Sequence, residues 1–168
     1  GQINPYKGLD VILEAFALLP KNIRKKVSLH IFGGGLEHQN QEFQEKIHNL
    51  LKKLKNTVWM HGPYEPHELP RLMQEIDWVV MGSIWWENSP LVIQEAFKYG
   101  RPIIVPDIGG MAEKVKPGRG GLNYRARDSV SLRDLIQRIV DEPELFDQLY
   151  ENIPPYTTIE AVSYRGID

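Results

Sequence analysis

The sequence predicts an α/β fold: a doubly wound parallel sheet, Rossmann-like, in three α/β/α layers. Three observations carry that prediction. Short apolar segments alternate with amphipathic helical ones along nearly the whole chain. The short segments are apolar throughout, as strands covered by helices on both faces must be. Glycine or proline stands at most of the junctions. At 168 residues the chain is about one domain in size, long enough to bury a core without disulfides or metals.

The elements follow in order. Leu9, Ile12, Leu13, Phe16 and Leu19 recur at helical spacing, and Pro20 ends that helix. "VSLHIF" (residues 27–32) is a strand running into the glycines Gly33, Gly34 and Gly35. A polar helix is expected from about Glu37 to Lys53, with Phe43, Ile47, Leu50, Leu51 and Leu54 on one face. "TVWMHG" (57–62) is the next strand, Pro66 opens a helix, and "DWVVMG" (77–82) is a strand. Ser89 is a favourable N-cap and Pro90 fits a first helical position, so a helix begins near Leu91. "RPIIVP" (101–106) is a strand, and Gly109-Gly110 turns into a short helix. "GGLNY" is extended, and Val130, Leu135, Ile136, Ile139 and Val140 mark an amphipathic helix. Glu142-Pro143 puts proline at a helix start, and Thr157 with Glu160 has capping-box spacing. The organisation expected is one domain over 1–153 and a terminal helix over 154–168.

Composition removes several function classes. Lys+Arg of 20 against Asp+Glu of 22 gives a formal charge of -2, so the whole domain has no electrostatic reason to hold nucleic acid. With no cysteine, thiolate zinc sites and thiol nucleophiles are excluded. His30, His38, His48, His61 and His67 show no metal-binding spacing, and no metal or cofactor is expected. The start "GQINPYKG" lacks a signal pattern and an initiator methionine. The expectation is a piece of a longer chain, located in the cytoplasm, with membrane association arising only through that parent.

In an open parallel sheet, ligands bind beyond the carboxyl ends of the strands. The Gly33–Gly35 loop reads as a ligand contact or as a plain turn; it is not a G-x-G-x-x-G fingerprint. Lys7 beside Gly8 stands at a helix start, where a free cation, N–H donors and the helix dipole together suit a phosphate; alone, such a lysine is usually solvated. Asp107 with Gly109-Gly110 and Glu113 reads equally as a βα turn or as a contact. Trp85 and Trp86 read as core or rim packing.

"WWENSPLVIQEAF" (85–97) holds Glu87 before the Ser-Pro start and Glu95 inside the helix. Two such carboxylates suit a glycosidase acid and base. They fit better as acceptors for different hydroxyls of one extended ligand, with the helix start between them on its phosphate.

Together, "GQINPYKGLDVILEAF", "LHIFGGG", "VWMHGPYEPHELPRLMQEIDWVVMGS", "ENSPLVIQEAFKYGRPIIVPDIGGMAEKV" and "GRGGLNYRARDSVSLRDLI" resemble the C-terminal, donor-binding domain of a retaining glycosyltransferase of the GT-B architecture, the "group 1" family. The resemblance covers nearly the whole chain, and its most specific part is the E-x7-E spacing of Glu87 and Glu95. It implies Lys7 at the diphosphate of a nucleotide sugar, aided by Gly8, by backbone at Gly33, Gly34 and Gly35, and by the helix start with Asn88, Ser89, Leu91 and Val92. It implies Glu87, the residue given a catalytic role, at the donor sugar, and Glu95 at the ribose. Met60, His61, Gly62 and Tyr64 would border the base, mostly through backbone. The implied reaction needs no metal and retains configuration by front-face attack, and the acceptor site belongs to an N-terminal domain that is absent here. The isolated piece is therefore expected to be inactive or nearly so.

One position departs from the family. Gln2 stands where an arginine is usual, which implies weaker phosphate binding or compensation by Arg119 or Arg125. Competing readings are a nucleotide-sugar epimerase domain, whose expected carboxylate and histidine pattern is missing, and a flavodoxin-like regulatory module, which would want an acidic cluster after the first strand.

Overall fold

The computed structural model describes residues 2–87 and 91–155. Asn88, Ser89 and Pro90, and the capping box at 157–160, lie outside the described residues.

The strands are β1 (Leu29–Phe32), β2 (Val58–Gly62), β3 (Val79–Val80), β4 (Ile103–Pro106) and β5 (Gly121–Tyr124). All pair in parallel, in two ladders: β1 with β2, and β3-β4-β5 in that order. The expected parallel α/β sheet is present, and β4, apolar along its whole length, is buried at every position. Successive side chains of β4 face opposite sides: Ile104 joins one core cluster, Ile103 and Val105 the other. β3 is shorter than the six residues predicted, because the ladder to β4 registers only Val79 with Ile103 and Val80 with Ile104. Beyond it the Met81 N–H still reaches Ile104 O at 2.9 Å, and the chain then turns away at Gly82.

Helices α1 (Leu9–Ala17), α3 (Gln41–Lys53) and α7 (Ser129–Asp141) cover one face. Their apolar stripes bury Leu13, Phe16, Ile47, Leu132 and Ile136 in a single core with Ile3, Ile104 and Tyr124. Each fully buried aliphatic side chain contributes roughly 1.5–3 kcal/mol. Ile93 and Ala96 of α5 (Leu91–Lys98) and Met111 of α6 (Gly109–Lys114) close the other core.

Two helix boundaries differ from expectation for local reasons. α3 begins at Gln41, since Asn40 caps it by accepting the Phe43 N–H at 2.8 Å, while Leu36–His38 forms a separate 3-10 turn. α1 stops at Ala17, and a short helix α2 (Lys21–Arg24) follows Pro20. Arg24 Nη2 donates to Ala17 O at 2.6 Å and Leu19 O at 3.1 Å, satisfying carbonyls left open at the end of α1. α4 (Leu69–Gln74) precedes β3, and α8 (Glu144–Glu151) begins one residue after Pro143 and packs Phe146 edge-on to Trp78. No helix among the described residues is long and apolar enough to cross a membrane.

Candidate functional site

Three loops meet at the carboxyl ends of the strands, and the first holds Gln2 to Gly8. Asn4 accepts from the backbone N–H groups of Tyr6 at 3.0 Å and Lys7 at 3.2 Å, winding Pro5–Lys7 into a 3-10 turn. Gly8 follows in the left-handed region at φ 69°, and a Cβ there would lie 1.6 Å from Gly82 O. Only glycine allows these two loops to touch. The close approach brings Lys7 over the loop after β3, where its ammonium forms an ion pair with Glu87.

Glu87 is held from several sides. Its other carboxylate oxygen accepts from the Ser83 hydroxyl at 3.0 Å, and Ser83 is 3% exposed. Its carbonyl accepts the Gly110 N–H at 2.7 Å. Upstream, the Ile84 N–H donates to Tyr6 O at 2.9 Å, and the buried Tyr124 hydroxyl donates to Met81 O at 2.6 Å. The loop is thus fastened to the Lys7 turn, to β5 and to the start of α6.

Gly33, Gly34 and Gly35 form the third loop. Ile3 N–H donates to Gly34 O at 2.8 Å, Gln2 bridges Gly34 in parallel, and Gly33 N–H donates to Gly62 O at 2.9 Å. With Met60, Gly62 and Pro63 these glycines line an open cleft of about 490 Å³. The His61 side chain is elsewhere, because neighbours along a strand alternate faces. It hydrogen-bonds His30 at 2.7 Å, stacks on Phe32, and lines a second cavity of about 410 Å³ with Tyr64. Only its backbone stands beside the cleft residues Met60 and Gly62.

Glu95 lies inside α5, half-buried. Burial pushes its carboxyl above the ordinary value, with Lys98 opposing. Burial, then the charge of Glu95, likewise pushes the Tyr64 hydroxyl up, so the two expected donor residues feel one another. Leu91 and Val92 open the same helix.

Trp85 and Trp86 are rim residues, 61% and 68% exposed, and Tyr6 meets Trp85 edge-on at 6.0 Å. Asp107 accepts the Ala126 N–H at 3.0 Å, a turn contact. Arg125 pairs with Asp128 at 3.2 Å. Among the described residues no group of three or more His, Asp or Glu is arranged to hold a metal ion. Sequence reasoning missed Ser83, Tyr124 and Arg127. Each lies in a stretch that carries the family resemblance, but Tyr124 and Arg127 act through contacts more than 40 residues away, and Ser83 through a loop whose shape no pattern announces.

Residues 1–154 match the family model described as glycosyl transferases group 1. The chain is 30% identical over 159 residues to D-inositol 3-phosphate glycosyltransferase of Nocardioides sp., covering 89% of this chain and 34% of that protein. It is 28% identical over 145 residues to glycogen synthase of Mycobacterium tuberculosis, covering 85% and 33%. Its fold is similar to that of Anabaena HepE in complex with UDP-glucose, with a TM-score of 0.76, 23% identity, and coverage of 90% of this chain and 40% of that one. The chain spans about a third of the length of the curated relatives it matches. The family match covers nearly the whole chain: this chain belongs to the group 1 glycosyltransferase family.

Proposed function

We propose that this chain is the donor-binding half of a glycosyltransferase that moves a sugar from a nucleotide diphosphate sugar to an acceptor with retention and without a metal ion. The observation that carries the reading is the Lys7–Glu87 ion pair at the strand ends, beside the glycine-lined cleft. A cation and an acceptor stand side by side there, as the bond between a sugar and a diphosphate requires.

Each group has one task. Lys7 leaves Glu87 for the diphosphate and offsets charge as the leaving phosphate departs. Glu87, steadied by Ser83, accepts from sugar hydroxyls and orients the ring. The backbone of Gly33–Gly35 and the first turn of α5, at Leu91 and Val92, donate to phosphate oxygens. Glu95 accepts from the ribose hydroxyls, and the base lies along Met60, Gly62 and the backbone of His61, with Tyr64 nearby. Neither glutamate needs to be a nucleophile, because the departing phosphate takes the acceptor's proton on the face it leaves. Gln2, against Gly34, donates an amide hydrogen bond without charge. The acceptor site belongs to the remainder of a longer chain, and this chain alone binds donor with little or no turnover.

The test is a titration of the chain with UDP, GDP and ADP and their glucose or mannose conjugates, followed by amide NMR. Shifts at Lys7, Gly33 and Glu95 with one nucleotide series are expected. Silence at all three at millimolar concentration in every series would sink the assignment.

A further inference from the structure

Arg127 is the only non-glycine residue with positive φ, 65°, among the described residues. Side chains there crowd the backbone, so an arginine holds this conformation only where its surroundings over-determine it. They do. Ala126 N–H donates to Asp107, Arg125 N–H to the Ser131 hydroxyl at 2.9 Å, and Asp128 N–H to Arg125 O at 3.1 Å. Asp128 itself caps α7 through the Ser131 N–H at 2.9 Å.

The strained backbone throws the side chain toward the loop after β3. Arg127 Nε donates to Ile84 O at 3.1 Å and Nη2 donates to the same oxygen at 2.9 Å. The Ile84 N–H is already committed to Tyr6 O. Both backbone groups of one loop residue are therefore fixed, one by the Lys7 turn and one by Arg127, with Ser83 on one side and Trp85, Trp86 and Glu87 on the other. Glycine would adopt this φ without strain and would hold nothing. Arg127 is exposed and takes no part in either core cluster, so its hold on that loop is what distinguishes it from glycine.

We propose that Arg127 is a positioning residue of the donor site: its guanidinium clamps the Ile84 carbonyl and so fixes the loop that carries Glu87 against Lys7. The proposal rests on the donor-site reading above. It assigns Arg127 no contact with the sugar nucleotide; its action passes through Ile84.

The experiment compares Arg127→Gly and Arg127→Lys with the parent chain, using UDP, GDP and ADP and their glucose or mannose conjugates, melting temperature, and amide hydrogen exchange at Ile84 to Glu87. Arg127→Gly removes the clamp and the strain together. It is expected to melt at or above the parent temperature, to exchange faster over Ile84 to Glu87, and to bind the nucleotide sugar roughly fivefold more weakly, the scale of one lost hydrogen bond. Free nucleoside diphosphate should lose less, so the ratio of the two affinities shifts; a general loosening of the fold would weaken both alike. Arg127→Lys, with a single donor group, should fall between. A parent that binds no nucleotide defeats the donor-site reading and this proposal with it. A parent that binds, with Arg127→Gly leaving the affinity ratio and loop exchange unchanged, or weakening both ligands in step with a lower melting temperature, overturns the proposal alone.

Discussion

Replacing Glu87 with glutamine should strengthen the binding of free nucleoside diphosphate while weakening preference for the sugar-bearing donor. Lys7 is paired with Glu87, their side chains 50% and 22% exposed. A pair that open to water is worth about 0.2–1 kcal/mol. A diphosphate reaching Lys7 gives up that pairing and also meets the Glu87 charge. At roughly 6 Å and an effective dielectric of about 40 to 80, one phosphate charge is repelled by about 0.7–1.4 kcal/mol. Glutamine removes both effects, while its amide oxygen can still accept from Ser83 Oγ and keep the loop in place. The sum is about 1–2 kcal/mol, or roughly five- to thirtyfold tighter binding of nucleoside diphosphate. The sugar loses a charged acceptor in exchange for a neutral one, a loss of about 1 kcal/mol, so the two ligands move in opposite relative directions. Calorimetry with both ligands at low salt reads the effect, and added salt should shrink it. If the folded Glu87→Gln variant binds both ligands equally more weakly, Lys7 and Glu87 do not divide diphosphate and sugar between them.

Glu95→Gln should raise stability at neutral pH and lower nucleotide affinity. The carboxyl, ordinarily near 4.5, is raised in the fold by burial, with Lys98 opposing. Below 4.5 it is protonated folded and unfolded alike, so the variant gains nothing there. As pH rises through the folded value, the unfolded chain ionises first and is favoured. The gain of Glu95→Gln should therefore grow above pH 4.5 and then level off; melting curves that show a pH-independent difference, or a less stable variant at pH 7, would refute it. Tyr124→Phe strips the donor from the buried Met81 carbonyl, 2.6 Å from the hydroxyl. The expected loss is about 1–3 kcal/mol in denaturant unfolding, with weaker donor binding because β3 leads into the Glu87 loop. Parent-like stability would mean another group satisfies that carbonyl.

The alternation of elements was legible because burial on both faces leaves a one-dimensional trace. "IIVP" is apolar at each step, and each step is buried. Asn40 shows why boundaries were harder to read. A polar helix following three glycines gives no sign that Leu36–His38 closes a 3-10 turn before the true cap. At the site, Glu87 and Glu95 stand out since their spacing lies in one segment. Lys7 and Glu87 are 80 residues apart, and their pairing depends on Gly8 meeting Gly82, which no local pattern encodes. Arg127 runs against its local signal, because a left-handed position invites glycine.

Lys7 and Glu87 come from separate segments, and the ladder arrangement shows how they meet. Among the described strands, β1 and β2 form one ladder and β3, β4 and β5 the other, with a seam between the two; the cleft lies past the carboxyl ends of β1 and β2, where ligands of such sheets bind. The segment from Gln2 to Gly8 runs along that seam. On one side it is tied to the glycine loop by the Ile3–Gly34 bond and the Gln2–Gly34 bridge. On the other it is tied to the Glu87 loop by the Ile84–Tyr6 bond and the Gly8–Gly82 approach. On the donor-site proposal, a ligand reaching from Gly34 to Glu87 crosses this segment and meets the Lys7 ammonium there. The same backbone that carries the charge thus sets the separation of the two loops, and Arg127, by holding Ile84, fixes the far end of that separation.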